Sequence, residues 1–238
     1  MMARSIIYVP YYFFALLYYA NKKVKDRKKA LVICKKIVKR ALKTGNIKLE
    51  LIDVDKFPQE DGYLITPNHQ GMFDMLVLME AIKNDLGIVI KKEASNVLVL
   101  KQVIQSLESY SIDREDIKQS MKVIINVSKD IKAGRNFVIF PEGTRSKNGN
   151  NLNEFKGGSF KAAMKVNAPI VPCAMIDAYK AFDTNSIKQI TVTLIVLDPI
   201  YSDEYKEMTT TDVAIMVRDR IQTAINEHLR KRDEGLLD

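Results

Sequence analysis

The 238-residue sequence is poor in the side chains that build metal and redox centres. It has only two cysteines and two histidines. Cys34 and Cys173 lie far apart, without pairing or ligand spacing, so there is no disulfide framework and a reducing compartment is expected. So few ligands, so dispersed, argue against zinc or haem. A magnesium site built on carboxylates stays open. There is no GxGxxG and no GxxxxGK[ST], so the usual nucleotide-binding loops are missing. A GxSxG elbow is missing too, because "GGSFK" at 157–161 ends in Lys161 where the last glycine would stand. No internal repeat or low-complexity linker interrupts the chain.

Acidic charge is scarce in one segment. Between Lys22 and Lys43 there are 11 Lys/Arg against one acidic residue, Asp26, a net +10 in a chain of +8. The rest of the chain is therefore slightly acidic, and the basicity belongs to this segment. It reads as an amphipathic helix with Ala30, Leu31, Cys34, Val38, Ala41 and Leu42 on one face. Gly45 and Asn46 are suitable stop residues. Before it, "SIIYVPYYFFALLYYAN" (5–21) carries no charge, is rich in Tyr and Phe, and is slightly short for a bilayer span. Pro10 would kink a helix there. No small-residue cleavage site follows, so it is not read as a cleaved signal peptide. Aromatic residues beside a polybasic stretch favour a helix lying among lipid headgroups, with Tyr11, Tyr12, Phe13 and Phe14 in the interface and Lys22, Lys23, Lys28 and Lys29 on anionic lipid. A core helix followed by a solvated charged face is the plainer reading. Nucleic-acid binding by the basic helix is a weaker alternative, and no nucleic-acid partner is expected.

From residue 47 the texture changes. "IKLELIDV", "GYLITP", "GIVIKK", "SYSID", "NFVIF", "APIVPCAMI" and "IKQITVTLIVLD" read as strands. They alternate with helical stretches, including 95–107, 115–134 (Ile117, Met121, Ile124, Ile125 and Ile131 on a common face) and a C-terminal amphipathic helix. This pattern predicts an α/β fold with a mixed, largely parallel central sheet flanked by helices. The expected division is a two-helix membrane-binding module at 1–45 and an α/β domain at 46–238. Residues 141–154 form one long polar loop, of a kind that often carries function.

"TPNHQGMFD" (66–74) ends one of these strands. Strand ends on α/β sheets are where ligands gather. His69 is the natural candidate for a general base near neutral pH. Asp74, in the first turn of the next helix, is placed to fix one ring nitrogen, with Gly71 letting the chain turn back. Read blandly, Asn68 and Asp74 are caps and His69 is a turn residue. His228, on a charged helix, reads as solvated. "FPEGTRS" (140–146) follows another strand, and its Arg145 can grip a phosphate through paired N–H bonds. Lys91, Lys92 and Arg114 also follow strands. In a parallel sheet such ends share one edge, where a base among cations suits an anionic substrate bearing a hydroxyl.

"NHQGMFD" and "FPEGTRS", about 70 residues apart, together resemble the lysophosphatidic acid acyltransferase family. "KKE" at 91–93, "SIDR" at 111–114, "FKGGSFKAA" at 155–163 and "IVPCAM" at 170–175 follow in matching order. The resemblance implies acyl transfer from acyl-CoA or acyl-carrier protein to the free hydroxyl of 1-acylglycerol 3-phosphate, with no cofactor, metal or covalent acyl-enzyme. It implies His69 as base and Asp74 as its orienter, with Glu142 and Gly143 shaping the site. Asn68, Lys92, Arg114, Thr144 and Arg145 would bind substrate, the last as a phosphate ligand with Arg114 and Lys92. It implies a peripheral or monotopic enzyme on the cytoplasmic face of the cell membrane. Same-fold alternatives acylate glycerol 3-phosphate or another lysophospholipid, or bind lipid without catalysis. One position departs from the family pattern: Glu108 stands where a glycine usually precedes the arginine by six residues.

Overall fold

The computed structural model describes residues 9–21, 24, 26–96, 100–183 and 188–237. Two helices come first, α1 (Val9–Ala20) and α2 (Arg27–Gly45). Pro10 is the second described residue of α1. Asp26 caps α2 by accepting a bond from the Lys29 N–H, and Asn46 ends it in the left-handed conformation. Then follow β1 (Ile47–Ile52), β2 (Leu64–Pro67), α3 (Asp74–Ala81), β3 (Gly87–Lys91), α4 (Leu100–Ser106), β4 (Tyr110–Ile112), α5 (Ile117–Lys132) and β5 (Phe137–Val138). The short α6 (Lys161–Met164), β6 (Ile170–Ile176), α7 (Lys180–Asp183), β7 (Ile190–Val196), α8 (Ser202–Tyr205) and the long α9 (Thr210–Asp233) complete the chain.

The strands form one seven-stranded sheet, ordered β1-β7-β6-β2-β5-β3-β4. All neighbours are parallel except β6 and β7. The C-terminal ends of β2 to β6 therefore share one edge. The inner strands are apolar on both sides because helices cover both faces. Ile65, Val138, Val171, Cys173 and Met175 meet α1 to α4 on one face, while Leu64, Phe137, Ile170 and Ala174 meet α5, α6 and α9 on the other. The first two helices contribute Leu16, Ala30, Leu31, Cys34 and Val38 to the same core as Val77 and Leu78 of α3.

On α5 the buried residues are Val123, Val127, Ser128 and Ile131, whereas Ile117, Met121 and Ile125 are exposed. One reading of a side chain is corrected. His228 is buried, because Val213, Val217, Ile221, Ile225 and His228 recur at helical spacing along the face of α9 that packs on the sheet. Burial lowers its pKa from the ordinary histidine value.

Glu108 occupies the left-handed region, φ +47°. A backbone bend that glycine adopts freely is thus kept by a residue for which it costs about 1–2 kcal/mol. Its carboxylate accepts a bond from Arg27 of α2, which also pairs with Asp85 at 3.3 Å. Glu108→Ala keeps the strain and loses the ion pair, whereas Glu108→Gly loses the pair and relieves the strain. Glu108→Ala should therefore be the less stable of the two by about 1 kcal/mol in urea denaturation.

Candidate active site

His69 sits two residues beyond β2, and Asp74 is the first residue of α3. The His69 ring Nδ1 lies 2.7 Å from Asp74 Oδ2. The Asp74 carboxylate is buried and also accepts the backbone N–H groups of Gln70 (2.7 Å) and Gly71 (3.0 Å). Three donors thus converge on this one side chain at the N-terminus of α3. The carboxylate holds the turn shut. Gly71 does not adopt a positive φ, and a Cβ there would make only an ordinary contact, 3.5 Å from Tyr179 Cα. With Nδ1 engaged, Nε2 is the ring nitrogen left for chemistry. The imidazole packs on Phe140, ring centroids 4.2 Å apart.

The loop after β5 clamps the histidine backbone. Glu142 Oε1 accepts the His69 N–H at 2.7 Å and Oε2 accepts the Asn153 N–H at 3.1 Å. The Ser146 N–H donates to the His69 carbonyl at 2.9 Å. Burial raises the Glu142 pKa above the usual carboxylate value. Glu142 is thus a tether for the His69 turn.

His69 lines a cleft of about 1450 Å³ that crosses the C-terminal edge of the sheet. Its lining includes Cys34, Ile37, Met75, Met79 and Val103 from α2, α3 and α4, and Ile117, Met121, Ile124 and Met164 from α5 and α6. Gly143, Thr144, Arg145, Arg114, Lys91 and Lys156 line it as well. Burial pushes the Cys34 thiol up to about 12, which removes a thiolate nucleophile from that wall. Gly143 adopts φ +72°, and a Cβ on it would sit 3.3 Å from Lys156 Nζ and 3.5 Å from Arg114 Cζ. The glycine therefore keeps open a gap between two cations. Arg114, Arg145 and Lys156 form no ion pair within 4.0 Å among the described residues, although Glu93 acts on Arg114 through its charge.

The sequence reading is met unevenly. His69, Asp74, Glu142, Gly143, Arg114, Thr144 and Arg145 come together at one edge. Asn68 does not reach the cleft. Its buried amide donates to the Met175 carbonyl (3.0 Å) and accepts the Met175 N–H (2.7 Å), stitching β6 to the turn. Lys92 turns away to Asp113, 2.9 Å distant, and Lys91 lines the cleft instead. Of the aromatic residues assigned to the membrane, Tyr11 and Phe14 are exposed and Tyr12 and Phe13 half-buried. Lys28 and Lys29 are exposed, and Lys22 and Lys23 lie outside the described residues.

Two residues were missed. Lys156 sits in "FKGGSFKAA", where a lysine before two glycines beside the polar loop was the available signal. Gln70, buried, accepts the Ala178 N–H (2.8 Å) and donates to Asn150 Oδ1 (2.7 Å), fastening the loop 141–154 to the His69 turn. Nothing in its spacing announces that role.

Known proteins resemble this chain in sequence and in fold. The 1-acyl-sn-glycerol-3-phosphate acyltransferase of Borreliella burgdorferi is 23% identical over 197 residues, 81% of this chain and 77% of that protein. A protein of the same name from Helicobacter pylori is 30% identical over 125 residues, and there the match takes in about half of each chain, 52% and 53%. The crystal structure of the 1-acyl-sn-glycerophosphate (LPA) acyltransferase PlsC from Thermotoga maritima shares the fold, with a TM-score of 0.77 at 19% identity, over 94% of this chain and 90% of that one. The profile of the acyltransferase family matches residues 48–176, more than half of the sequence. That span holds His69, Asp74 and the loop that clamps them, and the chain belongs to the acyltransferase family.

Proposed function

We propose that the protein transfers a fatty acyl group from a thioester, acyl-CoA or acyl-carrier protein, to the free hydroxyl of 1-acylglycerol 3-phosphate, making phosphatidic acid. The observation that carries this reading is the juxtaposition in one cleft of an oriented base, unpaired cations and long apolar walls. A lysophospholipid presents the complementary groups: a hydroxyl, a phosphate and a chain. The names of the relatives point to the same acceptor.

In this mechanism Asp74 holds the Nδ1–H tautomer, so Nε2 takes the proton of the acceptor hydroxyl as its oxygen attacks the thioester carbonyl. The tetrahedral intermediate collapses with cleavage of the C–S bond. The thiolate leaves and recovers the proton from the imidazolium. The products are an ester and a thiol, and His69 returns to its starting state. The step calls for no cofactor beyond the thioester co-substrate and no acyl-enzyme. Glu142 keeps His69 in place, and Arg114, Arg145 and Lys156 receive the phosphate.

Residues 1–45 are proposed to dock the enzyme on the cytoplasmic face of the membrane. Tyr11, Phe14, Leu17 and Tyr18 are exposed along α1, and lysines fill the outer face of α2. No helix of the described residues is long and apolar enough to cross a membrane.

Steady-state kinetics with each substrate varied in turn test the phosphate assignment. Arg145→Ala and Lys156→Met should each raise the acceptor KM by roughly 10- to 150-fold, the equivalent of about 1.5–3 kcal/mol for a lost charged hydrogen bond. The donor KM should stay near wild type. A rise confined to the donor would reverse the assignment.

A further inference from the structure

Helix α5 carries an apolar stripe that no part of the described chain covers. Ile117, Met121 and Ile125 recur every four residues and extend over about 12 Å of helix at 1.5 Å per residue. They are 73%, 60% and 36% exposed. The face that packs on the sheet is a different one, formed by Val123, Val127 and Ile131. Lys118, Lys122 and Lys129, all exposed, border the stripe on its outer side. On its inner side lies the cleft, since Ile117, Met121 and Ile125 line it together with His69 and Arg114. Met72, which also lines the cleft, is 67% exposed.

An exposed apolar stripe flanked by lysines is the pattern of a helix seated in a lipid interface. The lysine stems lie along the apolar surface while their ammonium groups reach the headgroups. Their charge suits anionic lipid. An acidic protein would answer the lysines but would leave Ile117 and Met121 without apolar partners. Exposure alone does not create this pattern. Ile215 on α9 is 55% exposed, yet Asp212 and Asp219 stand three residues before and four after it, and it lies outside the cleft.

The geometry points to a membrane-contact surface on α5, separate from the N-terminal helices, that rests the rim of the cleft in an anionic bilayer. This rests on the proposal that the acceptor is a lysophospholipid. The acceptor then enters sideways, its chain passing from bilayer to apolar wall without crossing water, and its phosphate stays level with Arg114 and Arg145.

The test uses the full-length protein with Met121→Cys or Ile215→Cys carrying an environment-sensitive fluorophore. Both native cysteines are buried, which confines labelling to the new thiol. Vesicles contain phosphatidylcholine and phosphatidylglycerol, with and without lipid bearing a doxyl group high on its chain. The label at 121 should shift to the blue and be quenched by the doxyl lipid, while the label at 215 stays water-like. Ile117→Ser and Met121→Ser should each weaken vesicle binding on the order of tenfold. The proposal is overturned if the protein does not sediment with the vesicles, or if the 121 label stays water-like while it does. A shift only on addition of an acidic acyl-carrier protein, or unchanged affinity of the serine variants, overturns it too. Transfer by the wild-type protein to detergent-dispersed 1-acylglycerol 3-phosphate is measured alongside. Its absence defeats the substrate reading, whereas failure of the label with transfer intact defeats only the α5 surface.

Discussion

His69→Ala should give a folded protein whose acyl transfer has fallen by roughly 10²–10⁴-fold, the span expected for removal of a general base. The other histidine, His228, is buried under α9 and takes no part in the cleft. Cys34 on the wall is held as the thiol by burial. No neighbour is placed to substitute. The fold should survive, because His69 is held through its backbone by Glu142 and Ser146, and these contacts do not involve the ring. Circular dichroism and a urea transition near wild type, together with the loss of turnover, would support the assignment. Near wild-type turnover in the folded variant would remove His69 from the mechanism.

Asp74→Asn should lose activity on a similar scale without changing the shape of the turn. In the native protein the His69 ring Nδ1 and the Gln70 and Gly71 N–H groups all meet Asp74 Oδ2, at 2.7, 2.7 and 3.0 Å. An asparagine with its oxygen at that place keeps all three contacts, whereas its nitrogen there would set a donor against two N–H groups. The variant therefore keeps the turn and the Nδ1–H tautomer, but the imidazolium formed during transfer loses its counter-charge. The expected signature is a loss in kcat that exceeds any change in the acceptor KM. A loss confined to KM, with kcat retained, would show that Asp74 only shapes the pocket.

Strands were legible where burial dictates composition. "IVPCAMI" and "GIVI" are continuous apolar runs because helices lie on both faces, and such runs become inner strands. The reversed direction of β7 was not legible, since alternation along a strand carries no information about its neighbour. His69 and Asp74 could be paired because an aspartate opening a helix must turn its carboxylate back toward preceding N–H groups. Asn68 and Gln70 were harder. A buried amide that bridges two backbone segments looks, in sequence, like one that binds a ligand. On α5 the four-residue recurrence of Ile117, Met121 and Ile125 is the same whether the stripe faces a core or a cleft, and only packing separates the two. Glu108 hid a left-handed backbone, because the ion pair that holds it comes from Arg27, distant in sequence.

The central claim is direct transfer of an acyl group to a lysophospholipid by a histidine base. It is tested most directly by incubating purified full-length protein with 1-acylglycerol 3-phosphate and either acyl-CoA or acyl-carrier protein thioester, following phosphatidic acid and released thiol together. The account predicts equimolar appearance of both with at least one donor, thiol release that depends on the acceptor, and no acyl adduct on the protein by mass. Binding of the acceptor without phosphatidic acid from either donor, or thiol release that leaves the acyl group on the chain, would contradict it.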